Sequence, residues 1–272
     1  MFEFSVLKHA NVACVLSAAT ALVGSALVSA CAAIRSTKQD KAFGCALSAG
    51  VNLVATLHYG LIWREVSKQT PNDDKIYALR FGDWLVTLPQ IVFEMYLLLG
   101  SAGVFEPQSG QPPEVSVWVA VAFQPIIVIL GALSRWLSSV ALKIVFFLGS
   151  GAPFFCYIIY VLIAVDKQIA DGNSNDSQSL VRYLCYVQIG YPIVYAAESL
   201  LKICEQPHEG ETKVSISDDA SEEANADSES VGRVDGILFF SNLSYSILDV
   251  ASKVVLALGV SLLSFKESST LA

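Results

Sequence analysis

Residues 78–99 read ALRFGDWLVTLPQIVFEMYLLL, a stretch that is long and apolar enough to cross a bilayer as a helix. It nevertheless carries Arg80, Asp83 and Glu94. An ionisable side chain at the centre of a membrane helix costs roughly 2.5–3.5 kcal/mol, so three in one span indicate a functional site. Asp83 and Glu94 share a helix face with Thr87. At about 1.5 Å rise per residue the two carboxylates lie roughly 16 Å apart along the axis, which suggests a proton path.

The rest of the chain has the composition of a polytopic membrane protein. Of its 272 residues 54% are hydrophobic and 15% are charged, against about 25% charged in ordinary globular proteins. We predict an all-α membrane protein, a seven-transmembrane-helix bundle that forms a single domain over residues 1–272, is integral and multi-pass, and contacts lipid. The predicted spans are 11–34, 42–63, 78–99, 115–133, 141–165, 180–203 and 236–265.

The net charge of −8 is concentrated in the link between the sixth and seventh spans. Residues 205–235 contain ten acidic and two basic residues, and this composition predicts an acidic, disordered loop. The sequence contains no strongly basic patch, so nucleic-acid binding is not expected. The six cysteines show no metal-ligand spacing, so no metal site is predicted.

The last span carries a second pair of charges, Asp249 and Lys253. Four residues apart on a helix, they share one face, and in hydrocarbon each needs a partner. One interpretation is a structural ion pair. The other is a lysine used for covalent chemistry, because a buried lysine can form a Schiff base with an aldehyde. The residue pattern by itself leaves both interpretations open.

Two motifs give the chain a resemblance to a known family. The last span contains Leu248-Asp249-Val250-Ala251-Ser252-Lys253, and the third contains Arg80-x-x-Asp83-Trp84-x-x-Thr87-x-Pro89 followed by Glu94. The fifth span adds the run YIIY at 157–160, and the sixth adds YP at 191–192. With seven spans in the same order, the chain resembles the microbial (type 1) rhodopsins, and among them the proteorhodopsin-like proton pumps. These proteins hold retinal as a Schiff base.

The resemblance implies a role for each intramembrane charge. It implies that Lys253 binds all-trans-retinal covalently as a protonated Schiff base. Asp83 is then the counter-ion and proton acceptor, Asp249 is the second carboxylate, and Arg80 is the gate of the outer half-channel. Glu94 is the donor that restores the proton from the other side. The apolar residues around Glu94 favour its protonated form, as a donor requires.

The resemblance also implies partners and a binding pocket. His58, before Tyr59 in the second span, stands where such pumps have a histidine that hydrogen-bonds the acceptor, although a lone helix histidine is more often a core residue. Tyr59 and Tyr191 are expected to hydrogen-bond Asp249. The expected retinal pocket consists of Trp84, Thr87, Leu88, Ile91, Gly151, Phe155, Gln188, Tyr191, Pro192, Tyr195 and Ser252. Gln188 replaces the tryptophan that the family usually has, which affects the colour and the cycle rate.

Three functions are compatible with these residues. The first is a light-driven outward proton pump, an ion transporter and not an enzyme, which moves protons and forms a homo-oligomer (pentamer or trimer) as the family commonly does. The second is a light sensor or light-gated ion channel on the same scaffold. Glu94 argues against this second function, and a slow cycle caused by Gln188 argues for it. The third is a non-photochemical helical transporter. Because Asp83 is retained, chloride and sodium pumps are not expected.

Overall fold

The computed structural model describes residues 2–36, 38–99, 117–170, 176–205 and 236–269. These residues form seven helices and no strand, which confirms the predicted fold class. The predicted acidic loop lies outside the described residues, apart from Glu205 at its start. The helices are α1 (Phe2–Arg35), α2 (Gln39–Val66), α3 (Asp73–Leu98), α4 (Val117–Trp136), α5 (Val140–Ala170), α6 (Asp176–Glu205) and α7 (236–269).

The helices form a closed bundle, and its interior contains buried polar and charged residues as well as apolar ones. Each of the first six helices packs against the next, and α7 closes the bundle against α1, α2 and α6. The side of α3 that faces inward carries the ionisable residues of the opening stretch, and all of them are buried. Large apolar side chains such as Leu57, Trp118 and Leu262 are exposed on the outside of the bundle, where a bilayer covers them.

Five of the described helices are long and apolar enough to cross a membrane by themselves. They are α1, α2, α4, α5 and α7. The other two, α3 and α6, contain more charged and polar residues, and in α3 these residues face the interior of the bundle rather than lipid. The protein is therefore a multi-pass integral membrane protein, as predicted.

The third helix begins at Asp73, earlier than the predicted span. The side chain of Asn72 accepts a hydrogen bond of 2.9 Å from the backbone N–H of Lys75 and so caps the helix. Asp73 and Asp74 occupy the first turn, where negative charge is favourable beside the exposed N–H groups. Asn72 is thus the N-cap of α3, and Asp73 and Asp74 are its first two residues.

The last helix contains a π-helical turn at the position of Lys253. Its α-helical geometry at 236–249 gives way to a π-helix over Val250–Val254 and resumes over Val255–Ser269. Single π-helical turns inside α-helices frequently occur at functional sites. In this case the turn carries Lys253, whose side chain is buried in the bundle interior.

Candidate functional site

The centre of the site is a buried lysine between two carboxylates. Lys253 of α7 donates a hydrogen bond to Asp83 of α3, and its Nζ lies 3.3 Å from Oδ1 of Asp249. The three residues are only 1%, 2% and 1% exposed, respectively. One buried amine faces two carboxyl groups, so the remaining carboxyl oxygens need further hydrogen-bond donors.

Two tyrosines supply those donors to Asp249. Tyr59 donates to Oδ2 and Tyr191 donates to Oδ1, both at 2.7 Å. The structure therefore contains both tyrosine hydrogen bonds expected from the sequence. Asp83 differs, because its Oδ1 is buried and has no hydrogen-bond partner among the described residues. Of the two carboxyl groups, Asp249 receives two hydroxyl donors, whereas Asp83 retains an oxygen that can take a proton.

His58 lies beside α3, but the described contacts do not include the expected hydrogen bond to Asp83. Its Nδ1 lies 3.0 Å from the carbonyl oxygen of Val54, one turn earlier in α2. Its Nε2 faces Gly82, where an added Cβ would come within 3.4 Å. The carboxylate of Asp83 instead accepts a charge-assisted hydrogen bond from Lys253.

Arg80 is also buried, one turn before Asp83. Its Nη2 donates a 2.6 Å hydrogen bond to Oδ1 of Asn242. The guanidinium lies over two aromatic rings, 5.1 Å from the centroid of Tyr245 and 5.8 Å from that of Tyr59. Within the described ranges no carboxylate forms an ion pair with Arg80. Its charge is therefore stabilised by an amide and by aromatic faces, and sequence reasoning missed Asn242 and Tyr245.

Glu94 lies toward the other end of α3 and is equally buried. Its Oε2 accepts a short hydrogen bond of 2.6 Å from the hydroxyl of Ser48 on α2. Sequence reasoning missed Ser48, although its spacing contains a signal. Asn52 follows Ser48 by four residues, and Tyr59 follows Asn52 by seven. This spacing places three polar side chains on one face of α2. Thr87, between the two carboxylates, donates to the backbone carbonyl of Asp83 at 2.9 Å.

A cavity of about 110 Å³ adjoins Lys253. Ten of the expected pocket residues line it: Trp84, Thr87, Leu88, Ile91, Gly151, Gln188, Tyr191, Pro192, Tyr195 and Ser252. The sequence did not reveal seven further lining residues: Phe81, Ile127, Val128, Gly131, Phe147, Ser150 and Phe154.

One expected pocket residue is wrong. Phe155 is 38% exposed and is not part of the cavity wall, whereas Phe154 is 7% exposed and lines it. Successive residues of an α-helix are about 100° apart, so only one of two adjacent phenylalanines can face the cavity. The inward face of α5 carries Phe147, Gly151 four residues later and Phe154 seven residues later. The prediction of Phe155 as a pocket residue therefore rotated the inward face of α5 by one residue.

The residues present fit a long apolar aldehyde. Aromatic and aliphatic side chains form most of the wall, and Lys253 contributes an amine, the group that reacts with an aldehyde carbon. Gln188 is one of the polar residues in this wall and contributes an amide, with its Nε2 3.7 Å from the sulfur of Met95. The cavity thus has the lining and the nucleophile that retinal requires, with an amide in one wall.

Comparisons with known proteins agree with this geometry. The family model described as bacteriorhodopsin-like protein matches residues 9–265. A crystal structure of thermophilic rhodopsin has 17% sequence identity and a TM-score of 0.67, covering 98% of this chain and 96% of that one. The crystal structure of Exiguobacterium sibiricum rhodopsin has 17% sequence identity and a TM-score of 0.67, and the match covers 97% of this chain and 98% of that one. Halorhodopsin, described as a light-driven chloride pump, has 17% sequence identity and a TM-score of 0.61, and the match covers 98% of each chain. A search of curated proteins gives no match.

The chain belongs to the bacteriorhodopsin-like family of microbial rhodopsins. This confirms the resemblance to the microbial rhodopsins stated from the two motifs. Members of this family are light-driven ion transporters rather than enzymes, and membership implies a retinal chromophore.

Proposed function

We propose that this protein is a light-driven outward proton pump that binds all-trans-retinal covalently at Lys253. The observation that carries the proposal is the placement of two buried carboxylates along α3 relative to one buried lysine. Asp83 is bonded to Lys253, and Glu94 lies roughly 16 Å further along the same helix. When bound, retinal supplies the absorption of visible light and a light-driven change of shape.

Asp83 is suited to accept a proton from Nζ of Lys253. The two are already hydrogen-bonded, and Oδ1 of Asp83 has no competing donor among the described residues. Asp249 keeps its negative charge through its two tyrosine donors and so offsets positive charge at Nζ. Arg80 lies on the far side of Asp83 from Glu94 and is the proposed outer gate, because among the described residues it forms no ion pair that would hold its side chain in place.

Glu94 is suited to return the proton to Nζ from the inner side. It is sealed from solvent, and its only described hydrogen bond comes from Ser48. An uncharged carboxyl is favoured in such surroundings, so Glu94 can hold a proton until Nζ needs one. Acceptance on one side of Nζ and donation from the other side give transport a direction.

The choice of a proton over chloride rests on residue 83. Halorhodopsin shares the fold, so the fold does not decide the transported ion. A carboxylate next to Nζ repels an anion and can accept a proton. The second candidate is a light sensor or light-gated channel, and the observation that favours it is Gln188, an amide in the wall where the family usually has an aromatic ring.

The deciding experiment is illumination of unbuffered cells that express the chain in the presence of all-trans-retinal. We expect visible colour and light-dependent acidification of the medium, which a protonophore abolishes. Colour without acidification contradicts the pump and favours the sensor or channel. Absence of colour contradicts both and leaves a non-photochemical transporter. Native mass spectrometry of the coloured protein tests the expected pentamer or trimer.

Replacement of Glu94 by glutamine tests the donor. Glutamine keeps the shape of the side chain and its contact with Ser48, so colour is expected to remain. It holds no transferable proton, however. Return of the proton to Nζ is expected to slow by at least about 100-fold, the usual contribution of a positioned acid. Flash spectroscopy measures this rate.

The matched control is Asp166→Asn, which removes an exposed carboxylate on α5 that pairs with Arg182. We expect this variant to return the proton at the wild-type rate. A wild-type rate in Glu94→Gln would show that the proton comes from another group.

A further inference from the structure

Asn52 is a buried polar residue to which the proposed pump cycle assigns no task. It lies on α2, is 0% exposed and makes three side-chain hydrogen bonds. Its Nδ2 donates to the backbone carbonyl of Ser48 at 2.8 Å and to that of Lys253 at 3.3 Å. Its Oδ1 accepts a 2.9 Å hydrogen bond from the hydroxyl of Ser25. One amide therefore joins α1, α2 and α7.

These contacts place Asn52 between the donor carboxyl and the lysine. On one side lies Ser48, one turn earlier in α2, whose hydroxyl holds Glu94. On the other side lies the peptide of Lys253, inside the π-helical turn. The contacts run in the order Glu94, Ser48, Asn52, Lys253 and Asp83. Asn52 touches neither carboxylate, so any effect it has on proton transfer acts through its neighbours.

Packing alone does not explain an amide at this position. A buried amide in a membrane helix costs free energy unless its donors and acceptor are satisfied, whereas an apolar residue would fill the same space without that cost. Attachment of α1 to α7 does not depend on Asn52 either. Ser29 makes its own hydrogen bonds to the backbone carbonyl of Ala257 and to Ser261.

We propose that Asn52 is a positioning residue for the return of the proton to Lys253. It holds the peptide of Lys253 and the Ser48 turn in one fixed arrangement, so that the proton of Glu94 travels to Nζ by an internal route. This inference rests on the proposed pump function. It adds a residue that neither the family match nor the two sequence motifs single out.

The test compares Asn52→Leu with Ser29→Ala. Leucine removes all three side-chain hydrogen bonds while keeping the number and branching of side-chain heavy atoms, and Ser29→Ala removes a buried contact between α1 and α7 that does not involve Lys253. We expect Asn52→Leu to return the proton to Nζ about tenfold more slowly, which corresponds to about 1.4 kcal/mol in the barrier. The wild-type rate is expected to vary little with pH because its donor is internal. In Asn52→Leu it is expected to fall as pH rises, because bulk protons replace the internal route.

A second readout does not depend on the photocycle. Lys-Val pairs occur in the sequence only at 213–214 and 253–254. Labelling lysine with ¹³C at the carbonyl and valine with ¹⁵N therefore restricts the nuclear magnetic resonance signal to two carbonyls. Loss of a hydrogen bond shifts a carbonyl resonance. We expect Asn52→Leu to move the Lys253 signal and leave the Lys213 signal unchanged, and Ser29→Ala to move neither.

Each outcome bears on the inference. A wild-type rate, a flat pH profile and an unshifted Lys253 signal in Asn52→Leu would overturn it, even if the wild-type protein acidifies the medium. Equal slowing in Ser29→Ala would also overturn it, because the effect would then be one of general packing. If Asn52→Leu does not fold, Asn52→Ala gives the same comparison, because alanine also removes all three side-chain hydrogen bonds. A coloured wild-type protein that never releases a proton from Nζ contradicts the pump and this inference together.

Discussion

Replacement of Lys253 by arginine is expected to abolish visible colour and to leave the bundle folded. Arginine keeps a positive charge between Asp83 and Asp249, but a guanidinium does not form a Schiff base with an aldehyde. Lys253→Ala is expected to lose colour as well and also to destabilise the protein. It leaves two buried carboxylates without a cation, and removing one partner of a buried ion pair costs about 3–5 kcal/mol. Absorption after addition of all-trans-retinal measures the first effect, and thermal unfolding measures the second.

The control for both variants is Lys143→Ala, which changes a half-buried lysine of α5 that does not line the cavity. This variant is expected to bind retinal and to have the wild-type colour. Colour in Lys253→Arg would show that the lysine serves only as a structural ion-pair partner, the alternative that the sequence pattern left open.

Replacement of Asp83 by asparagine is expected to abolish light-driven acidification. Asparagine cannot accept a proton at the position beside Nζ, and each oxygen of Asp249 already accepts a hydrogen bond from a tyrosine, which disfavours protonation of Asp249 in place of Asp83. Transport is expected to fall by at least about 100-fold. External pH under illumination measures this, with the amount of coloured protein used to normalise the rates.

Asp83→Glu is the matched variant, since it keeps a carboxyl group and lengthens the side chain by one methylene. It is expected to retain measurable transport. Acidification by Asp83→Asn at the wild-type rate would show that Asp83 is not the acceptor.

The sequence predicts the bundle and the centre of the site well, for physical reasons. Long apolar runs have few alternatives to membrane helices, and an ionisable residue is too costly in hydrocarbon to lie there without a task. Asp83, Asp249 and Lys253 meet in the structure as those costs require. The predicted ends of the helices are less accurate than the predicted spans. In α3 the cap at Asn72 extends the helix beyond the apolar run, and hydropathy does not register capping.

The sequence did not reveal which side chains on different helices touch one another. Helical periodicity gives the face of each helix but not its rotation against its neighbours. For this reason Phe154 replaces Phe155 in the cavity wall, and the described hydrogen-bond partner of the His58 ring is Val54 rather than Asp83. The π-helical turn at Lys253 changes the register of α7, and no residue type in Val250–Val254 signals it.

The separation of Asp83 and Glu94 along α3 has a consequence for the voltage across the membrane. Roughly 16 Å is about half of the roughly 30 Å hydrocarbon core, so in the proposed pump a proton passing between these levels crosses about half of the electric field. One elementary charge moved across the full membrane corresponds to about 2.3 kcal/mol per 100 mV, so this step works against about 1.2 kcal/mol at that potential. The pump is therefore expected to slow as the cell interior becomes more negative, and this half-membrane step bears a large share of that dependence.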